Sequence, residues 1–537
     1  MLKSELVAPL TIGSTKRISW IALLKSDWAV SGVLVLVCAI PALALWRHSN
    51  YLTGDSYQYL RAAQTFAAGQ GLRDMSGEPF TVLTPLYPLL IGAVHRLFAN
   101  VDIETIARLV SFAGAAAAVV GLYWLLRVRY SLWISFSGAL MFALLPLRVW
   151  SSFWVLSEGL YVGLLILALA VLFRSRKRLW VAGAGGLLFG LAYLTRPEAI
   201  LCFAGAVALS AMQSRDGRKR ALAIVAGFLL VAVPYHAWVY RMTGNPSSGR
   251  LRILLAQSQA IYEGNMSKML VFNQASADGA LTQSLRSEMT PTAVGKRYLF
   301  FARTEIQRLL YLLGPHLLVI VLLLVGALLS LSGNIVRMVR GLQFADAWPF
   351  LLASWLLLLP FLHVEDRYLL QVMPAFLLWL ILIAVAVQKL AAAKLRGRSK
   401  LVAPLIPLAF MSVFLLSYGY RLTTQIPQGD SSALARGTAR WLDSQKLSAP
   451  TILSQTPDLA FFSNGKHLWM PSGEPDHVLK YARRSGASYV YISSRDVRTP
   501  LNNILLGDVT VVPASFHLLH EESDGSVTAR LFSVSAN

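Results

Sequence analysis

The run Asp55-Ser-Tyr-Gln-Tyr-Leu-Arg-Ala-Ala-Gln-Thr-Phe-Ala-Ala-Gly-Gln-Gly71, followed by Thr84-Pro-Leu-Tyr-Pro88, decides how this chain is read. It comes directly after the first long apolar run. It therefore sets a lone carboxylate just outside a membrane, at the start of an amphipathic helix whose stripe is Tyr59, Ala63 and Phe66. Gly69 and Gly71 end that helix. Two readings of Asp55 stay open on these residues alone. Asp55-x-x-Gln58 is a capping-box-like start, with Asp55 accepting helix N–H bonds and Gln58 reaching back. The same carboxylate, beside an apolar platform at a membrane face, also suits a general base within hydrogen-bond reach of an incoming hydroxyl.

The surrounding composition is that of a polytopic α-helical membrane protein. Hydrophobic residues make up 55% of the chain and charged residues only 14%, in apolar runs of about 20 residues. The net charge of +22 would suit nucleic acid if it formed a patch. Instead the basic residues sit in short gaps between apolar runs: Lys16, Arg17 and Lys25; Arg127 and Arg129; Arg174 to Arg178; Arg215 to Arg220; Arg337 and Arg340; and 389–400. That is the positive-inside pattern, and no nucleic-acid partner is expected. Cys38 and Cys202 both lie within apolar runs and offer neither a disulfide framework nor a metal site. Ala42-Leu-Ala44 resembles a signal-cleavage site, but the leader before it is long, so 28–46 reads as an uncleaved anchor.

Basic clusters taken as cytoplasmic markers give crossings at 28–46, 103–126, 131–147, 152–173, 179–194, 198–212, 221–239, 317–331, 348–361, 369–387 and 402–418, about eleven in all. Residues 1–27 are then a cytoplasmic N-terminus, 28–420 a transmembrane domain with outer loops 47–102 and 240–308, and 421–537 an extracytoplasmic domain. A crossing by 86–98 would break the parity. That segment is therefore expected to be juxtamembrane or re-entrant, covered by protein so that its backbone stays satisfied. The tail reads as a small α/β domain: helical spacing at 431–444 and 476–485, β-like runs at 451–453, 489–492 and 527–534, and a hairpin turn at Asp524-Gly525.

Three further clusters carry charge to the outer ends of spans. Glu158, in Leu156-Ser-Glu-Gly-Leu160, needs a partner, because an ionised carboxylate costs about 2.5–3.5 kcal/mol at a span centre. Either a backbone group or Arg148 satisfies it, or it serves a site. Thr195-Arg-Pro-Glu198 makes a tight turn in which Arg196 and Glu198 either pair or contribute chemistry. His363-Val-Glu-Asp-Arg-Tyr368, before Pro374, is the densest polar cluster at any span end. It is read either as snorkelling with local ion pairing or as a phosphate site built on Arg367.

In this order, Gly54-Asp55 with Tyr59 and Gly69-Gln-Gly71, Pro85-Leu-Tyr-Pro88, Ser157-Glu158, Leu194-Thr-Arg-Pro-Glu198 and Arg367-Tyr-Leu-Leu with Pro374 resemble the integral-membrane glycosyltransferases of the GT-C type. The likeness is to the bacterial relatives of protein O-mannosyltransferases and of the lipid A aminoarabinose transferase, over about 51–374. It implies a GT-C fold with a small extracytoplasmic α/β domain, in a bacterial inner or plasma membrane. It implies an inverting transferase that takes sugar from a polyprenyl-phosphate donor to a hydroxyl on a glycan, lipid or protein acceptor. Asp55 and Glu158 map onto the catalytic acids. Arg367, Arg196, His363 and Tyr368 map onto contacts with the donor phosphate, and Tyr59, Tyr87 and Glu198 onto the substrate pocket. Protein mannosyltransferases carry Asp-Glu in this loop, whereas Asp55 is followed by Ser56. The acceptor class and a divalent cation are left open by that departure, and no metal ligands are assigned. The rival readings are a transporter or flippase of lipid-linked sugars, which would place ionisable residues at the midplane of repeated halves, and a non-catalytic protein that keeps the fold.

Overall fold

The computed structural model describes residues 20–46, 49–174, 178–213, 215–245, 255, 258–259, 261–264, 291–314, 347–362, 365–394, 405–424, 429–430, 432–447, 449–471, 474–497, 499–508 and 512–534. The expected crossing at 317–331, most of the cytoplasmic N-terminus and His363 lie outside them.

Three described helices are long and apolar enough to cross a membrane: Asp27–Trp46, Ile103–Arg127 and Asp216–Thr243. The bundle is built from α1 (Trp20–Trp46), α4 (Ile103–Arg127), α5 (Leu132–Leu144), α7 (Glu158–Arg174), α8 (Leu179–Thr195), α9 (Ala199–Gln213) and α10 (Arg215–Thr243). Glycine lets neighbours close in. A Cβ on Gly114 of α4 would collide with the backbone of Leu160 in α7, and one on Gly186 of α8 with the backbone of Ile224 in α10. Such small-residue contacts let helix backbones approach in a solvent where apolar burial gives little drive. Asp27 pins α1 to α4 by accepting from the Tyr123 hydroxyl at 2.6 Å and Arg127 Nε at 3.2 Å.

Between α1 and α4 stand α2 (Gly54–Ala67) and α3 (Leu86–Leu97). The twelve residues of α3 reach about 18 Å, short of the roughly 30 Å hydrocarbon core. Gly92 brings α3 onto the Ala63 carbonyl and the Phe66 ring of α2. The segment 86–98 is therefore a short helix packed on protein.

Several expected spans are broken. The helix expected over 131–147 stops at Leu144 and restarts as α6 (Pro146–Ser151), because Pro146 has no N–H to continue the ladder. The span expected from residue 152 begins at Glu158, after an irregular turn. Further on come α11 (Pro291–Leu313) and α12 (Trp348–Ala353), the latter followed by 3-10 turns Ser354–Leu357, Leu359–Phe361 and Asp366–Leu369. The helix expected at 369 starts only as α13 (Met373–Lys394), and α14 is Leu405–Thr424. Irregular backbone at this depth survives where it is buried in protein or lines a cavity. Here the irregular segments meet at one place.

The tail is a five-stranded mixed sheet in the order β4-β3-β5-β7-β6, where β3 is Thr451–Ser454, β4 Lys466–Trp469, β5 Tyr489–Ser493, β6 Phe516–Ser523 and β7 Thr528–Val534. Strands β4, β3 and β5 run parallel, and β6 and β7 form a hairpin turning at Gly525, whose φ is +85°. Its core holds Leu453, Val490, Ile492 and Phe532. Short parallel strands β1 (Ser49–Asn50) and β2 (Gly429–Asp430) join loop to tail. Tyr57 of α2 also packs on Phe461 and Phe462, Arg61 donates to Asn464 Oδ1 at 2.7 Å, and Arg436 of α15 (Ala433–Ser444) forms a fork on Glu104 at 2.8 and 3.0 Å. Helix α2 is thus held between α3 and the tail domain.

Candidate active site

The cap of α2 is Thr53. Its Oγ1 accepts from Ser56 N at 3.3 Å while Ser56 Oγ accepts from Thr53 N at 3.0 Å, a reciprocal capping box. Gln58 is engaged elsewhere, its Oε1 accepting from Met75 N at 3.2 Å. This corrects the capping reading of Asp55. The box is set two residues earlier, and Asp55 in the first turn is left to face a cavity of about 460 Å³.

Asp55 meets Arg367 there. Arg367 Nη1 donates to Asp55 Oδ2 at 3.0 Å and lies 3.6 Å from Glu158 Oε1; Nε donates to Glu365 Oε2 at 2.5 Å. Arg308 and Asp366, paired at 2.9 Å, line the same cavity. Irregular backbone delivers Arg367 and its neighbouring acids: the 3-10 turn Asp366–Leu369 ends before Met373 and lets Glu365, Asp366 and Arg367 point to one region.

Behind Arg367 lies a second, buried layer. Glu158 and Arg196 are each 4% exposed. Arg196 Nη1 donates to Glu158 Oε1 at 2.6 Å and Nη2 to Glu198 Oε1 at 3.2 Å. This corrects the expected partner of Glu158, because the fully buried Arg148 instead donates to the Ala143 carbonyl. Glu158 Oε2 has no hydrogen-bond partner among the described residues. Arg196 and Arg367 both lie over the Tyr368 ring, at 4.7 and 5.2 Å from its centroid. Burial pushes the Tyr368 phenol up from its usual range, against the opposing pull of Arg367. Glu158, Arg196, Glu198, Arg367 and Tyr368 enclose a space of about 10 Å³, room for about one water.

The structure thus brings together Asp55, Glu158, Arg196, Glu198, Arg367 and Tyr368. Tyr59 and Tyr87 stand apart from the cavity wall. Both are buried, edge to face at 5.0 Å, with their hydroxyls on Ser157 Oγ at 3.2 Å and Ser111 Oγ at 2.7 Å. They pack α2 and α3 onto α4 and the turn before α7. Glu365, Asp366 and Arg308 were not singled out from sequence. The first two adjoin Arg367 in the quoted polar cluster, whereas Arg308 carried no local signal. Among the described residues no group of three or more His, Cys, Asp or Glu side chains is arranged to hold a metal ion.

Chemically, the site offers a half-exposed carboxylate beside a permanently cationic fork, in a cavity large enough for a small ligand. Behind the fork the buried Glu158 lies 3.6 Å from Arg367 Nη1.

No protein-family model matches the sequence, and no curated protein matches it. Solved structures do match the fold. ArnT from Cupriavidus metallidurans bound to undecaprenyl phosphate aligns at a TM-score of 0.55 and 12% identity, over 96% of this chain and 98% of that one. The Archaeoglobus fulgidus oligosaccharyltransferase tethered to an acceptor peptide aligns at 0.60 and 12% identity, over 95% and 74%. AglB from the same organism, in complex with an inhibitory peptide and a dolichol-phosphate, aligns at 0.57 and 12% identity, over 96% and 75%. The chain accordingly has the GT-C fold of these membrane glycosyltransferases over nearly its whole length, tail domain included.

Proposed function

We propose that this chain is a membrane glycosyltransferase that moves a sugar from a polyprenyl-phosphate donor to an acceptor hydroxyl on the extracytoplasmic face, with inversion. The observation that carries the reading is the 3.0 Å pair of Asp55 and Arg367 on the wall of the larger cavity. It sets a base next to a group suited to a phosphate. The undecaprenyl phosphate on ArnT and the dolichol-phosphate on AglB support a lipid-phosphate ligand for this fold.

In this mechanism the acceptor hydroxyl gives its proton to Asp55 as its oxygen bonds the anomeric carbon. The bond from that carbon to the phosphate oxygen breaks on the opposite face, and the electron pair leaves with the prenyl phosphate. Arg367 offsets the charge that grows on the leaving group. Arg196 and Glu158, buried behind it, act as positioning residues: Glu158 accepts from Arg196 and attracts Arg367, so the guanidinium is held before substrate arrives.

The test is mass spectrometry of surface glycans, glycolipids and secreted proteins from cells with and without the chain, followed by transfer assays with the donor so identified. A sugar lost without the chain and restored by it, but not by Asp55→Asn, is the expected result. An unchanged set of glycans in cells lacking the chain would overturn the reading.

A further inference from the structure

The cavity beside Asp55 has a second kind of wall. Trp150 lies in the last turn of α6, and the backbone turns once more so that Trp154 N donates to the Trp150 carbonyl at 3.1 Å. This four-residue spacing sets the two indoles nearly parallel, 17° apart with centroids at 6.0 Å. Tyr51, just before the cap of α2, meets Trp154 at 5.6 Å and 42°. All three line the same cavity as Asp55, Glu365 and Arg367.

Three ligand chemistries can be weighed against this wall. A prenyl chain would use the rings, yet it would bring hydrocarbon against half-exposed ion pairs to which it can offer no hydrogen bond. A phosphate at Arg367, as the transfer reading has it, accounts for the charged wall but makes no use of the rings. A sugar ring uses both walls. Its C–H face is apolar and weakly positive, so it lies on the negative face of an aromatic ring. Its hydroxyls, donors and acceptors alike, meet the carboxylates and guanidinium groups at its edge. Tryptophans of an interfacial belt would face lipid, whereas these share a cavity with ion pairs.

We propose that Tyr51, Trp150 and Trp154 form the platform on which a substrate sugar ring is seated beside Asp55. The proposal rests on the glycosyl-transfer reading and specifies what that site holds. The ring belongs either to the donor or to a glycan acceptor, and chain length tells these apart. A donor seat takes one ring, whereas an acceptor seat gains contacts as the chain extends.

The experiment is saturation-transfer NMR on the full-length protein in nanodiscs, with a panel of methyl glycopyranosides and glycofuranosides and with short oligosaccharides. Undecaprenyl phosphate binding is measured in parallel. Several glycosides are expected to bind, with transfer strongest at ring C–H protons. Trp154→Ala and Trp150→Ala should each weaken binding about tenfold, a loss on the scale of one aromatic contact. Trp154→Phe and Trp150→Phe, which keep a ring in the fold, should lose less, and they serve where an alanine variant fails to fold. Affinity that rises with chain length assigns the platform to a glycan acceptor, and affinity that stops at one ring assigns it to the donor sugar. Absence of glycoside binding, or binding indifferent to both tryptophans, overturns the platform. If undecaprenyl phosphate still binds through Arg367 in that case, the transfer reading stands without it. Glycoside binding on the platform with undecaprenyl phosphate indifferent to Arg367→Ala would instead count against the transfer reading.

Discussion

Arg367 Nη1 lies 3.0 Å from Asp55 Oδ2, joining residues 312 positions apart in the chain. The same nitrogen is 3.6 Å from Glu158, so one guanidinium links the open carboxylate to the buried one. Any ligand anion that draws Arg367 toward itself loosens its hold on Asp55. On the proposed reading, phosphate binding and the availability of Asp55 are coupled through this single side chain.

Asp55→Asn is expected to keep the fold and to lower transfer by about 10²-fold or more, since a general base contributes about 10²–10⁴. The fold should hold because Thr53 and Ser56, not Asp55, cap α2. Thr53→Ala gives the converse result: a loss of about 1 kcal/mol of stability with near-parental turnover per folded molecule. Turnover and thermal unfolding of both purified variants decide the matter. An Asn variant that transfers sugar at the parental rate would remove Asp55 from the chemistry.

For Arg367 the conservative change is informative. Arg367→Lys keeps a charge but cannot serve Glu365, Asp55 and a phosphate at once, because it lacks the planar fork. Turnover should fall in Lys and further in Ala, by more than donor affinity does, because phosphate charge is greater in the transition state than in the bound donor. A purely structural Arg367 would give poor yield and low melting temperature, with normal turnover in whatever folds.

How much of this could be read in advance depended on the range of the interaction. The apolar runs, the helix after Gly54, the short helix at 86–97 and the strands at 451–454, 489–493 and 528–534 all carry local periodicity. The edge strands β4 and β6 do not: β6 reads Phe-His-Leu-Leu-His-Glu-Glu-Ser, too polar to announce a strand, and pairing with β7 makes it one. The candidate residues Asp55, Arg196 and Arg367 stood out as charges at span ends. Their partners did not, because the pairs of Asp55 with Arg367 and Glu158 with Arg196 close over 312 and 38 residues. The cap was misassigned because two overlapping frames, Thr53-x-x-Ser56 and Asp55-x-x-Gln58, both suit a helix start.

On the proposed reading, Glu365 competes with the phosphate for Arg367. Its carboxylate holds Arg367 Nε at 2.5 Å and is 39% exposed, so it occupies one edge of the fork at little desolvation cost. Glu365→Gln should therefore bind undecaprenyl phosphate more tightly, on the order of threefold, as an exposed ion pair is worth about 0–1 kcal/mol. Titration of both proteins with this lipid checks the point. Equal or weaker binding by the Gln variant would mean that Glu365 orients the fork and does not compete for it.

The tail domain should matter to turnover although it lies outside the cavity. Arg436 grips Glu104 with two hydrogen bonds and covers Phe462 at 4.1 Å, while Tyr57 and Arg61 of α2 rest on the same domain. Arg436→Ala is expected to cost about 1 kcal/mol, to speed amide exchange in α2, and to lower turnover several-fold at unchanged donor affinity. Glu104→Ala should add little on top, since both remove one contact. Exchange in α2 identical to that of the parent protein would show that the tail does not hold Asp55 in place.

The last expectation concerns pH in the tail domain, where a buried histidine and a half-buried aspartate oppose each other. Burial pulls the His467 imidazole down to about 4, although its bond to the Ser454 carbonyl opposes this. Its stabilising contribution is present above the ordinary histidine range near 6.5 and is lost as pH falls toward 4. Burial, with Asp458 nearby, pushes the Asp496 carboxyl up to about 7 against the bond it accepts from Ser493 N. Its contribution is present below the ordinary aspartate value and is lost as pH rises through 7. Between about pH 4 and 6.5 the slopes have opposite sign, each on the order of 1 kcal/mol per pH unit, so these two groups largely cancel in the parent domain, where burial also raises the Asp458 carboxyl. Asp496→Asn leaves Asp458 as the remaining carboxyl that burial raises against His467, so the domain should weaken on acidification by more than the parent does. His467→Gln leaves Asp496 unopposed, and it should weaken as pH rises. Amide protection of β3 and β5, measured in the full-length protein at pH 4.5 and 6.5 and corrected for intrinsic exchange, reads both signs. Two variants as flat as the parent would show that neither group titrates far from its ordinary range.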